Sequence, residues 1–132
     1  VMRGVKREFH LPGELERGAL LEGWVGALLM AYGEPGCGLG LRHDAMFYWS
    51  PTEDGTEVDF LVRRGAEFTA IEVKAKEILA PRDLNGLKAI TELKGIRRRV
   101  VVFLGERPFK TENGIEALPI HNFLRELESK TI

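Results

Sequence analysis

One cysteine, Cys37, stands among the 132 residues. It leaves no internal disulfide and no cysteine-rich zinc site, and it suits a reducing, cytoplasmic setting. The three histidines, His10, His43 and His121, are scattered without metal-ligand spacing and read as structural. Neither sign of charge dominates: the formal net charge is −1, so any basic surface must be local. No apolar run approaches the roughly 18 to 20 residues of a membrane span, no signal peptide is visible, and no membrane partner is expected. The glycine-rich stretch from Gly33 to Gly40 is not followed by the Gly-Lys-Ser or Gly-Lys-Thr of a phosphate loop.

What is present is an ordinary balance of 44% apolar and 30% charged residues, enough for one domain with a proper core. The start at Val1-Met2 reads as a domain cut from a longer protein. Residues 1–17 then form the remnant of a connection to an upstream region, and residues 18–132 the domain. From Gly18 to Tyr32, Leu20, Leu21, Trp24, Val25, Leu28, Leu29 and Tyr32 cover most of a helix surface and predict a largely buried helix with Trp24 in the core. A short aromatic strand at 45–50, a turn at 51–56 and a hairpin at 57–76 follow. Pro81-Arg82-Asp83 opens a helix expected to run through about Lys94, closed by Gly95. A continuous apolar strand is expected at 100–104, buried on both faces. A further strand at 115–118 and a final helix from Pro119, with Ile120, Phe123, Leu124 and Leu127, complete the order. The prediction is a mixed α/β sheet in the order α-β-β-β-α-β with a β-α extension.

Within the hairpin, a turn at Gly65-Ala66 pairs Arg64 with Glu67 and, carried outward, sets Asp59 opposite Glu72 and Glu57 opposite Lys74. Alternation places Val58, Phe60, Val62, Ile71, Val73 and Ala75 on one apolar face and the acids on the other. Directly opposed residues have Cβ atoms roughly 4.5 to 5.5 Å apart, a separation at which two carboxylates want a cation. The same hairpin also reads as the wet face of an antiparallel sheet, with Glu57 and Lys74 as a cross-strand ion pair. That reading leaves Asp59 and Glu72 unexplained. Upstream, Glu22 shares a helical face with Gly18, Val25, Gly26 and Leu29, where a charge needs a partner.

A helical acid, a strand aspartate and a Glu-x-Lys on the next strand, followed by helix and strand, resemble the PD-(D/E)XK nuclease superfamily. The chain looks most like the uncharacterised domain that prokaryotic AAA+-type ATPases carry at their C-terminus. The matching stretches are Gly18 to Val25, Tyr48-Trp49, Glu57 to Phe60, Ile71 to Lys74, and Gly114-Ile115 with Leu118-Pro119 and Phe123-Leu124. They cover nearly the whole chain. The resemblance implies a restriction-endonuclease-like core and metal-dependent cleavage of DNA. Asp59 and Glu72 would be metal ligands, Lys74 the residue beside the attacking water, and Glu22 an accessory acid. Val58 stands where the superfamily's name places proline, and no glutamine-tyrosine pair marks the helix from residue 83.

Two hard carboxylates, with the Ile71 or Val73 carbonyl as a further ligand, suit Mg2+ or Mn2+. Lys74 suits a point-charge role beside them. A polyanion would be held by Lys76, Arg82 and Lys88, with Lys94 and Arg97-Arg98-Arg99 behind them, although the arginine run reads first as a solvated stretch ahead of a buried strand. Tyr48 and Trp49 either pack or stack on bases. The expected partners are DNA and the N-terminal ATPase domain of the same chain. An idle nuclease-fold module that binds nucleic acid or a protein partner for the ATPase is the alternative, and the final helix also leaves room for a homo-oligomer.

Overall fold

The hairpin is where the chain's strongest local signal meets its structure. Two runs of apolar and β-branched residues flank Gly65-Ala66, and they form strands β2 (Val58–Arg64) and β3 (Glu67–Lys74), paired Arg64↔Glu67 through Phe60↔Ile71 in the predicted register. The computed structural model describes residues 14–33, 46–50, 56–129 and 131–132. The segment 1–13, the glycine-rich stretch after Gly33, Ala45, the expected turn at 51–55 and the residues Cys37, His10 and His43 lie outside the described residues.

Helix α1 (Glu14–Gly33) precedes strand β1 (Met46–Trp49), and the hairpin follows. After it come α2 (Asn85–Ala89), between single 3-10 turns at Pro81–Leu84 and Ile90–Glu92, then β4 (Ile96–Phe103), β5 (Phe109–Lys110), β6 (Glu116–Pro119) and α3 (Ile120–Glu128). The six strands form one mixed sheet in the order β1-β2-β3-β4-β6-β5. β1, β2 and β3 are antiparallel, β3, β4 and β6 are parallel, and β5 closes the far edge antiparallel to β6. Among the described residues, no helix is long and apolar enough to cross a membrane.

Both faces of the sheet are covered. One carries Val62, Ile71, Val73, Val100, Val102 and Leu118 against Val25 and Leu29 of α1 and Phe123 and Leu127 of α3. The other carries Leu61, Ala70, Val101, Phe103 and Ala117 against Leu84, Leu87 and Ile90 of the α2 segment. Alternation along β4 serves both layers at once, which is why its apolar run is unbroken from Val100 to Phe103.

Four expectations change. The sequence reading puts Val58 on the same face as Phe60 and Val62, yet Val58 packs with the opposite cluster. The cause is a bulge in β2: between the pairs Phe47↔Leu61 and Trp49↔Val58, Tyr48 is opposed by both Asp59 and Phe60. The extra residue reverses the facing of everything before it. Trp24, expected in the core, is 39% exposed, because the apolar stripe of α1 that meets the sheet is centred on Val25 and Leu29. The helix expected through Lys94 keeps only one α-helical turn and ends in a 3-10 turn at Glu92. The chain must reverse early because β4 begins at Ile96, and Gly95 makes the reversal at φ 88, its carbonyl accepting from Phe68 N at 2.8 Å. Arg97, Arg98 and Arg99 therefore lie within β4 and not ahead of it. Arg98 makes the strand tolerable by pairing with Glu116 of β6 at 2.8 Å and Glu126 of α3 at 3.0 Å.

Candidate functional site

The ladder between β2 and β3 stops at Phe60↔Ile71, and the acids stand just past its end. The bulge re-aims Asp59, whose Oδ2 accepts from the backbone N–H of Val73 at 2.8 Å. This bond fixes the carboxylate across the strand gap toward β3. Glu72 continues the face of Ala70, on the α2 side. Asp59 is 8% exposed and Glu72 5%.

Asp59 lies close enough to Glu72 to raise its hold on a proton. Burial, then the hydrogen bond and charge of Asp59, push the Glu72 carboxyl up to about 10, against the opposing pull of Lys74. A pair of carboxylates this close and this dry keeps a proton between them unless a cation replaces it.

The approach of α2 depends on Gly86. A Cβ there would run into the Glu57 carbonyl oxygen and lie 3.3 Å from Glu72 Oε2. With hydrogen in its place, the helix backbone closes against the acid pair and removes water from one side of it.

Lys74 is half-buried at the end of β3. Among the described residues, no hydrogen bond or ion pair claims its ammonium, and its charge acts on Glu72 through space. Glu57, expected to pair with Lys74, instead accepts from the Tyr48 hydroxyl, which that bond pushes up from its ordinary pKa. Tyr48 is thereby held in the open, 59% exposed, while Trp49 packs in the core.

A cleft of ≈ 410 Å³ gathers Glu22, Asp59, Glu72, Val73 and Lys74, together with Gly18 and Ala19 of α1, Glu57, Ala75 and Lys76. All four residues singled out for chemistry thus line one space, Glu22 from the α1 wall. A neighbouring cleft of ≈ 600 Å³ shares Glu22, Glu57 and Asp59 and runs past Gly23, Gly26, Met30 and Tyr48. Among the described residues, no three His, Cys, Asp or Glu side chains already form a finished metal-ligand group.

The expected nucleic-acid rim divides. Lys76 lines the acid cleft, but its ammonium is held by Asp83 Oδ1 at 2.9 Å. Arg82 is exposed, and Lys88 donates to the Pro81 carbonyl at 3.3 Å; neither lines the cleft. The sequence reading took Glu57 only as an ion-pair partner of Lys74 and Asp83 only as part of a helix start, and it did not single out Gly86. Asp83 had a signal in its position two residues after Pro81 at a helix start, where its Oδ2 accepts from Ala80 N at 2.7 Å. Glu57 had its spacing from Asp59. Gly86 had none, because its role is set by a strand far away in sequence.

No curated protein and no solved structure matches the chain. Residues 17–123, which span α1 to the middle of α3 and so include every cleft residue named above, match the family described as Domain of unknown function (DUF4143), and the chain belongs to that family.

Proposed function

We propose that the domain is a divalent-cation-dependent nuclease of the PD-(D/E)XK type, acting on DNA as part of an AAA+-type ATPase chain. The observation that carries this reading is the buried pair Asp59 and Glu72, lining one open cleft with Lys74 beside it. The order α-β-β-β-α-β on a mixed sheet supports the same reading.

The donor set fits a hard cation. Oxygen donors of Asp59 and Glu72 are what magnesium or manganese takes, and a carboxyl pair that holds a proton for want of a counter-charge is poised to exchange it for a metal. Asp59 and Glu72 would hold the ion, with the Val73 carbonyl as a further ligand. Such an ion, when bound, neutralises charge on the phosphate and lowers the pKa of an attacking water. Lys74 places an ammonium where negative charge develops on the phosphate oxygens. Glu22, from the opposite wall, orients a water by accepting its hydrogen bond. Gly86 and the α2 backbone keep bulk water from the acid pair, which strengthens each of these interactions.

The test is incubation with single- and double-stranded DNA in magnesium or manganese. Product is expected from the wild type, with loss of activity in Asp59→Ala and Glu72→Ala and a fall of about 100-fold in Lys74→Ala. Equal product from wild type and Asp59→Ala sinks the proposal. A second reading, an idle module that binds nucleic acid or a protein partner for the ATPase, draws on the absence of a finished three-ligand group among the described residues. Calorimetric titration with Mn2+ separates the two: the nuclease reading expects binding with proton release that Glu72→Gln abolishes, and the idle module expects no heat.

A further inference from the structure

A further cleft, of ≈ 360 Å³, lies at the start of β4, beside β5 and β6. Its walls carry four cations, Arg97, Arg98, Arg99 and Lys110, and one carboxylate, Glu116. The charges are unequally matched. Arg98 is committed to the fold, bonding Glu116 through Nε and Nη2 at 2.8 Å each and reaching Glu126 at 3.0 Å. Arg98 divides its charge between Glu116 and Glu126, and Arg97, Arg99 and Lys110 are the cleft's other three cations.

Arg99 has no carboxylate partner among the described residues. Its Nη1 donates to the Leu87 carbonyl at 3.1 Å and its Nη2 to the Asn113 carbonyl. Two neutral acceptors fix the plane of the guanidinium without cancelling its charge, and they engage two of its five donors. Arg97 has only the exposed pair with Glu67, at 3.3 Å with side chains 42% and 60% exposed, a class of contact worth little in water. Lys110, exposed on β5 and paired through its backbone with Glu116, makes no ammonium hydrogen bond or ion pair among the described residues. The turn that supplies Asn113 is itself rigid: Gly114 N donates to Thr111 O at 3.0 Å, and Ile115 N to Thr111 Oγ1 at 3.1 Å. An oriented guanidinium flanked by two exposed cations is a receptor for phosphate oxygens, whose geometry a guanidinium fork matches.

We infer that this cleft binds the phosphodiester backbone of a nucleic-acid strand. Arg99 pairs with Ala70, two residues before Glu72 on β3 and on the same face, so about 7 Å of strand separates the two levels. α2 touches both clefts, Gly86 against Glu72 and Leu87 against Arg99. A strand laid over α2 reaches both. The inference takes its ligand from the nuclease reading but requires no cleavage.

The experiment is fluorescence anisotropy of a labelled oligonucleotide in EDTA across a salt series, with the double variant Arg97→Ala/Lys110→Ala, which leaves the Arg99 staple in place. Binding is expected to weaken at least about tenfold, and the slope of log affinity against log salt to shrink by about 2. Arg125→Ala, which removes an exposed cation from α3, should leave affinity and slope close to wild type. An unchanged slope in the double variant, or an equal change in Arg125→Ala, overturns the site. So does equal competition by polyglutamate of matched charge, which shows a general anion surface, or displacement by millimolar inorganic phosphate, which shows a pocket for the free ion. Because binding is read without metal, failure to cleave bears only on the acid cleft.

Discussion

At the scale of single residues, two buried carboxyls behave in opposite ways for a stated reason. Glu72 has burial and Asp59 pushing its pKa up to about 10. The stability that its neutral form contributes is complete below the ordinary carboxyl pKa and is lost as pH rises toward the raised value. The metal-free protein should therefore lose thermal stability between pH 5 and pH 9. Glu72→Gln, which cannot ionise, should flatten that slope and raise Tm at pH 8 by several degrees, corresponding to roughly 1 kcal/mol or more. Mn2+ should raise Tm of the wild type and not of the variant. A wild-type Tm that climbs over this range in EDTA would contradict the assignment.

Asp83 is also buried, which raises its pKa, but the hydrogen bonds from Lys76 Nζ and Ala80 N overcome it and hold the carboxyl below its ordinary value. Its contribution is present above the ordinary carboxyl pKa and fades as pH falls through the depressed one. Asp83→Asn should cost about 1 to 3 kcal/mol in urea unfolding at pH 7, and the difference from wild type should shrink as pH falls below the ordinary carboxyl pKa. A pH-independent difference would point to packing alone.

At the scale of elements, the bulge in β2 and the shortness of α2 decide the site. Both were hidden from a reading of local pattern. Strict alternation, continued from Val62 down to Val58, misses an inserted residue that only the pairing with β1 shows. The periodicity of Leu84, Leu87, Ile90 and Leu93 is real, and three of these four side chains are buried, yet the backbone under them tightens because β4 must start at Ile96. Gly86→Ala tests the closeness of α2 to β2. The added methyl meets backbone at Glu57, which cannot swing aside, so a loss of about 1 to 3 kcal/mol in urea unfolding is expected. Calorimetric Mn2+ binding should weaken with it. A variant as stable as wild type would show that α2 stands further from the acids than described.

At the scale of the whole molecule, a sheet packed on both faces leaves its open chemistry at strand ends. The acids emerge where β2 and β3 part, and the basic cleft where β4 begins. α3 buries Phe123 and Leu127 completely against the sheet, so its apolar stripe serves the core. Phe123→Ala should cost about 3 to 5 kcal/mol in denaturant unfolding, and Leu124→Ala, only partly buried, about 1 kcal/mol. Equal losses at the two positions would mean that α3 sits rotated from its described place.

The hairpin register, the doubly buried β4 and the start of α3 at Pro119 were legible in residue order, because each rests on contacts between near neighbours or on an apolar run that has one use. Order along the chain and the resemblance singled out Asp59, Glu72, Lys74 and Glu22, and these four line one cleft. What waited for three dimensions was everything that depends on a partner distant in sequence: the bulge that turns Asp59 toward β3, the glycine that lets α2 reach the acid pair, and the carboxylates and carbonyls that draw three consecutive arginines into a strand. A local pattern records which side chains prefer water. Only the packed molecule decides which of them find a counter-charge instead.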